Sequence, residues 1–221
     1  MTEDKVEILK VLVGSRAHGL ADANSDYDYR SVYVLPTQKI LSLGFKYKGN
    51  DWIEGDIDNT SYEIGHFLDL AVKCNPSILE VMVAPVVSAT DEGAELRKLF
   101  SYIWNPYDAL NAFVGYSKNQ QKKMLDNKDG RANKYAVAYL RVLYMLNDLL
   151  EKGIFSLEIP DGEFKEMLKR WRNGEYNLGE VINQAQAWSL LALGKLDGCN
   201  HVPDINKVNE FLLSVRRTYW T

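Results

Sequence analysis

Cysteine is scarce in this chain. Cys74 and Cys199 are the only two among 221 residues, too few for a disulfide framework. Their expected place is as small buried hydrophobes in a reducing cytosol. Histidine is nearly as rare: His18, His66 and His201 are scattered, so no zinc-ligand spacing exists. Any bound metal should then be a hard ion held by carboxylates, magnesium or manganese. No apolar run is long enough to span a membrane, and Glu3 and Asp4 spoil a signal-peptide reading of the N-terminus. The expectation is a cytoplasmic protein without a membrane partner. A basic excess is missing too. The net charge is −4, which argues against whole-protein attraction to nucleic acid but leaves room for a local basic groove. Low-complexity tracts, internal repeats and long linkers are absent.

Apolar residues make up 46 % of the chain, enough for a real core in one large domain or two small ones. Lys5 to Val13 leads into a first strand, and Arg16 to Leu20 reads as one helical turn. Asp22 to Ser25 is turn chemistry, with short polar side chains that bond their own backbone. Asp26 to Leu35 reads as a second strand stopped by Pro36, and Thr37 to Asp51 as an excursion with a hairpin near Phe45 and Tyr47. Asp56 to Ile64 is expected as a third strand, followed by short helices around Phe67 to Val72 and Ile78 to Met82. Thr90 is a fitting N-cap for the helix after it.

Beyond Pro106 the periodicity becomes helical throughout. Ala132 to Leu150 carries apolar residues on most of its surface and should be central, with Gly153 ending it. Asp161, Asn177 and Asp204 are expected to start three further helices. The predicted fold is α+β: a small mixed β-sheet core with flanking helices over residues 1–105, then an all-helical C-terminal subdomain over 106–221.

One stretch carries the chemistry, Val11 to Pro36. An apolar strand end, Val11 to Val13, runs into Gly14-Ser15, and Asp26 and Asp28 follow after a short gap. Side chains alternate along a strand, so the two aspartates share a side and Tyr27 and Tyr29 take the other. Adjacent like charges repel, and a divalent cation gives them a reason to be there. A glycine just past a strand lets backbone approach a ligand, and the Ser15 hydroxyl with neighbouring N–H groups can donate to phosphate oxygens. Arg16 adds a planar cation, for phosphate or for a local ion pair. Two ions about 3.5–4 Å apart would stabilise attacking and leaving oxygens of an in-line displacement.

This constellation resembles the DNA polymerase β-like nucleotidyltransferase superfamily. The wider wording, GSRAHGL, then SDYDYRSVYV, then YEIGHFLDLAVKCNPSILEVM, is similar to a nucleotidyltransferase family found beside RNA ligases and in phage genomes. The resemblance implies magnesium-dependent transfer of an NMP from an NTP, with pyrophosphate released. It implies triphosphate binding by Gly14 and Ser15, metal binding by Asp26 and Asp28, and a third carboxylate from a neighbouring strand. Asp58 matches the superfamily pattern through Ile57-Asp58; Glu63, between Tyr62 and Ile64, is its rival. The acceptor is left open between an RNA end, a protein and a small molecule. A non-catalytic nucleotide- or RNA-binding module is the reading from another class, and the intact acid pair weighs against it.

In the helical half, Ser117 to Arg141 holds seven basic residues and two acids. Lys118 to Lys128 reads first as a solvated helix face. Lys134 and Arg141, seven apart on an otherwise apolar helix, are candidates for contacting substrate phosphate.

Overall fold

In the computed structural model of the chain, the described residues are 5–46, 51–52 and 59–221. The elements in chain order are β1 (Val6–Val13), α1 (Gly14–Ala17), β2 (Asp28–Val34), α2 (Thr37–Ile40), β3 (Asp51–Trp52), β4 (Asn59–Glu63), α3 (Ile64–Ala71), α4 (Pro76–Val83), β5 (Val86–Ala89), α5 (Asp91–Lys98) and α6 (Phe100–Ile103). Then come α7 (Pro106–Asp126), α8 (Ala132–Lys152), α9 (Glu163–Arg172), α10 (Leu178–Lys195) and α11 (Ile205–Thr218). The fold is α+β with a helical C-terminal region, as the periodicity predicts. No described helix is long and apolar enough to cross a membrane.

The described residues fall into two compact units, one within Met1–Lys73, Ser77–Trp104 and Val202–Thr221, the other within Cys74–Pro76 and Asn105–His201. The first holds a mixed sheet in the order β3-β4-β2-β1-β5. β2 runs parallel to β4, and the other pairings are antiparallel. Leu9, Val11 and Val13 of β1 pair with Val32, Arg30 and Asp28 of β2. The three β1 residues are buried, so this face of the sheet carries the core. Helix α5 approaches that sheet closely: a Cβ at Gly93 would stand 1.9 Å from the Ile8 carbonyl oxygen. Arg30 ties the same face to the start of α4 through the Ser77 carbonyl.

Several local expectations hold. Thr90, Asn177 and Asp204 accept hydrogen bonds from the first N–H groups of α5, α10 and α11. Gly153 ends α8 at φ +66°, in the left-handed region. Asp161 does not cap α9. Gly162 holds that place without a side-chain bond, and Asp161 instead accepts from Lys165, 2.9 Å away. The second strand begins at Asp28 and not at Asp26. The excursion opens with helix α2, and the hairpin expected around Phe45 and Tyr47 runs outside the described residues. Strand β5 was not anticipated, because four exposed residues on a sheet edge need no apolar alternation.

Helix α11, expected with the helical half, belongs to the first unit. Thr37 donates to the carbonyls of Tyr219 and Arg216 at 2.7 and 2.6 Å, and Asp204 donates to Tyr102 at 2.8 Å. In the second unit, Leu140, Leu143, Leu146 and Leu149 form the buried stripe of α8. Tyr144, Phe164 and Trp188 stack at 4.7–5.5 Å and bring α9 and α10 onto it.

Candidate active site

Antiparallel register makes Val13 and Asp28 direct partners, so the turn leaving β1 begins beside the first residue of β2. Gly14 takes φ +70°, a conformation that costs other residues about 1–2 kcal/mol. Space demands glycine as well. A Cβ here would stand 2.0 Å from Asp28 Oδ2 and 2.9 Å from its Cγ. Backbone of the Gly-Ser turn and carboxylate of the second aspartate are therefore in direct contact. The first N–H groups of a helix have no intrahelical acceptor, and Val13, at the N-cap of α1, makes no side-chain cap bond. Ser15 and Arg16 sit in this first turn, where backbone donors suit an anion.

Asp26 lies two residues before β2 and is exposed, while Asp28 is half-buried. Tyr27 and Tyr29 stack with ring centroids 6.4 Å apart and planes 15° from parallel. Within β2, Asp28 and Tyr29 point to opposite sides, and Asp26 precedes the strand whose alternation was to pair it with Asp28. The segment leading in is braced by Asp22, whose Oδ1 accepts from Asn24 N–H at 2.9 Å and Ser25 Oγ at 3.0 Å.

Arg16 does something the sequence left open. Its Nη2 donates to the Ser25 carbonyl at 2.7 Å and its Nε to the Asp26 carbonyl at 3.3 Å, and its guanidinium lies 3.8 Å from the centre of the Tyr27 ring. The planar fork thus fastens the Gly14-Ser15 turn to the aspartate segment. His18, at the end of α1, is buried with Nε2 3.8 Å from Glu80 on α4.

Asp58 lies outside the described residues. In sequence it precedes Asn59, the β4 partner of Tyr29, as Asp28 precedes Tyr29. Its rival is placed clearly. Glu63 pairs with Tyr33, on the tyrosine side of β2 and opposite to Asp28. Its carboxylate is 3 % exposed; it accepts from Gly65 N–H at 2.7 Å and from both terminal nitrogens of Arg216 at 2.6 and 2.9 Å. Glu63 caps α3 and anchors α11, and it does not face the Asp28 side. Among the described residues, no three carboxylate, histidine or cysteine side chains form a metal-binding group.

Lys134 and Arg141 both belong to the second unit. Their shared helix stripe gives them different surroundings: Lys134 is exposed on the first turn of α8, and Arg141 is 8 % exposed with Nη1 3.1 Å from Met145 Sδ. Cys74 is fully buried beside Asn105, and burial pushes its thiol up to about 11.

The sequence model of RlaP, the RNA repair pathway DNA polymerase beta family, matches residues 2–182. Two curated proteins are also similar. The uncharacterized protein YcgL of Bacillus subtilis is 29 % identical over 128 residues, covering 55 % of this chain and 48 % of that protein. The uncharacterized protein MJ0002 of Methanocaldococcus jannaschii is 27 % identical over 172 residues, covering 76 % of this chain and 66 % of that protein. The chain thus spans about half to two-thirds of the length of these relatives.

Proposed function

Because the chain belongs to the RNA repair pathway DNA polymerase beta family, we propose that it is a metal-dependent nucleotidyltransferase. It moves an NMP from an NTP to an acceptor hydroxyl, an RNA end, and releases pyrophosphate. The observation that carries this reading is the contact of Gly14 with Asp28: a turn built to approach phosphate lies against a carboxylate suited to a hard cation. A setting beside an RNA ligase or in a phage genome would fit the same chemistry.

The oxygen donors present suit magnesium or manganese, and the space at Gly14 is kept free of a side chain. Asp26 and Asp28 would hold the ions, with Asp58 as third carboxylate. Bound there, the metal would neutralise developing charge on the transferred phosphoryl group. Ser15 and the backbone donors of α1 hold and orient the triphosphate. Arg16 keeps the Asp26–Asp28 segment in register with that turn. The acceptor oxygen bonds to the α-phosphorus as the α–β bridging bond breaks. Pyrophosphate leaves with the electron pair, and the hydroxyl proton passes to Asp58. Positioning and electrostatics supply most of the rate.

The test is labelled-NTP incorporation with magnesium or manganese, offered RNA, protein and small-molecule acceptors separately. Transfer to RNA 3′ ends that disappears in Asp26→Asn and Asp28→Asn, with thermal unfolding unchanged, is the expected result. Wild-type turnover surviving in Asp28→Asn would sink the assignment. Transfer to protein or small molecules alone would replace the acceptor, and tight NTP binding without any transfer would favour a non-catalytic binding module.

A further inference from the structure

The helical unit sorts its lysines into two groups. Outside residues 118–134, every lysine of the unit has a carboxylate partner: Lys152 with Asp148 at 2.8 Å, Lys165 with Asp161 at 2.9 Å, Lys169 with Glu166 at 2.8 Å and Lys195 with Glu151 at 2.6 Å. Between residues 118 and 134 the pattern stops. Lys118, Lys122, Lys128 and Lys134 are exposed, and none makes an ion pair with a described carboxylate. Lys123 lies over the Tyr135 ring at 5.6 Å, and Arg131 stands beside Asp129.

The two acids within residues 118–134 do not offset this. Asp129 is turned into its own loop, accepting from the Tyr135 hydroxyl and from Arg131 N–H. Asp126, in the last turn of α7, forms no pair with the lysines. In a chain whose net charge is −4, six cations against two carboxylates at one helical tip make a local reversal of sign. The unpaired lysines of the unit are thus concentrated on this one stretch.

The unpaired lysines also have direction. Lys118 and Lys122 are four apart, about 6 Å along the helix axis, and lie on one stripe of α7. Lys118 borders a groove of about 650 Å³ that is mainly apolar, with Leu110, Val114, Leu190 and Leu193, and that carries the polar groups of Gln121, Gln186 and Ser189 among them. Neutral amides and hydroxyls there can exchange hydrogen bonds with ribose without demanding a base.

We infer that the α7–α8 hairpin is an RNA-backbone binding surface, with phosphates on Lys118, Lys122, Lys128 and Lys134. This rests on the reading of the acceptor as an RNA end and assigns its docking site to the helical unit. Charge complementarity commits it to a polyanion, and the groove beside Lys118, mainly apolar with amides and a hydroxyl among its lining, suits the exposed bases and sugars of a single strand.

The experiment uses the full-length chain and a fluorescein-labelled single-stranded RNA, with affinity followed by anisotropy through a salt titration. The variant K118Q/K122Q/K128Q/K134Q is compared with K152Q/K165Q/K169Q/K195Q, which changes net charge equally. Four phosphate contacts on a single strand should contribute about 3 to the slope of log K against log salt. The first variant should lose that slope, and the second should keep it. Equal losses in both variants, no loss in the first, or no RNA binding by the wild type would each overturn the inference. NMP transfer to a short acceptor is measured alongside. Transfer that persists in the first variant while RNA binding is unchanged removes the surface and leaves the enzyme reading standing. Salt-sensitive RNA binding lost only in the first variant, with no transfer by wild type, does the reverse.

Discussion

Arg216 closes a two-pronged ion pair on the buried carboxylate of Glu63, 153 positions earlier in the chain. The pair joins the last helix to the junction of β4 and α3. Removing one partner of such a pair strands the other charge, at about 3–5 kcal/mol. Arg216→Met should therefore lower urea-unfolding stability by that order. Glu63→Gln added to it should recover part of the loss, since the stranded charge is gone. A loss below about 1 kcal/mol for Arg216→Met would show that the pair does little to anchor α11.

The same geometry separates two carboxylates that the sequence leaves in competition. Glu63→Gln should retain NMP transfer in the folded fraction, because its side chain faces away from Asp28 and is held by Gly65 and Arg216. Asp58→Asn should abolish transfer. Incorporation assays normalised to folded protein read this, and the opposite ranking would restore Glu63 as the third acid.

Gly14→Ala meets two obstacles, the positive φ and the Asp28 carboxylate 2.0 Å from the new Cβ. Transfer should fall at least about a hundredfold, since a displacement on the order of 1 Å at a reacting centre has that effect. Manganese affinity, followed by calorimetry, should weaken with it. Normal metal binding and turnover would mean that the turn and the carboxylate are not a functional unit.

For Arg16 the two roles give opposite kinetics. As the clamp on Ser25, Asp26 and Tyr27, Arg16→Lys should lower kcat by about ten- to a hundredfold and leave the KM for NTP nearly unchanged. A raised KM with kcat preserved would instead make it a phosphate ligand.

The buried Cys74 thiol carries a pH signature. Its value rises on folding from 9.0 to about 11 through burial, so the folded state holds the proton more tightly. That contribution is complete below pH 9 and is lost as pH rises towards 11, a decline of about 2–3 kcal/mol. Urea unfolding across this window should show the slope, and Cys74→Ala should flatten it. In the native protein a thiol reagent at pH 8 should label Cys199 before Cys74.

Much of this architecture is local and was readable in order along the chain. A strand running into Gly14-Ser15 and the caps Thr90, Asn177, Asp204 and Gly153 depend on neighbours within a few residues. Where a local signal met a competing local partner, it failed. Asp161 had capping chemistry, but Lys165 one turn on took its carboxylate. Strand β5 left no signal because its four residues form an exposed edge.

The sequence by itself determined which groups exist for the chemistry: a Gly-Ser turn at a strand end, two aspartates two residues apart, and rival third acids. Alternation and capping are short-range, so residue order is enough to specify them. Tertiary structure decided what each group is free to do. The parallel register of β2 with β4 turned Glu63 away from Asp28, and a helix from the far end of the chain occupied its carboxylate. Arg16 closed on the aspartate segment, and ion pairing divided the lysines of the helical unit. Those outcomes depend on which distant residues meet when the sheet pairs and the core closes, and spacing along the chain does not encode that.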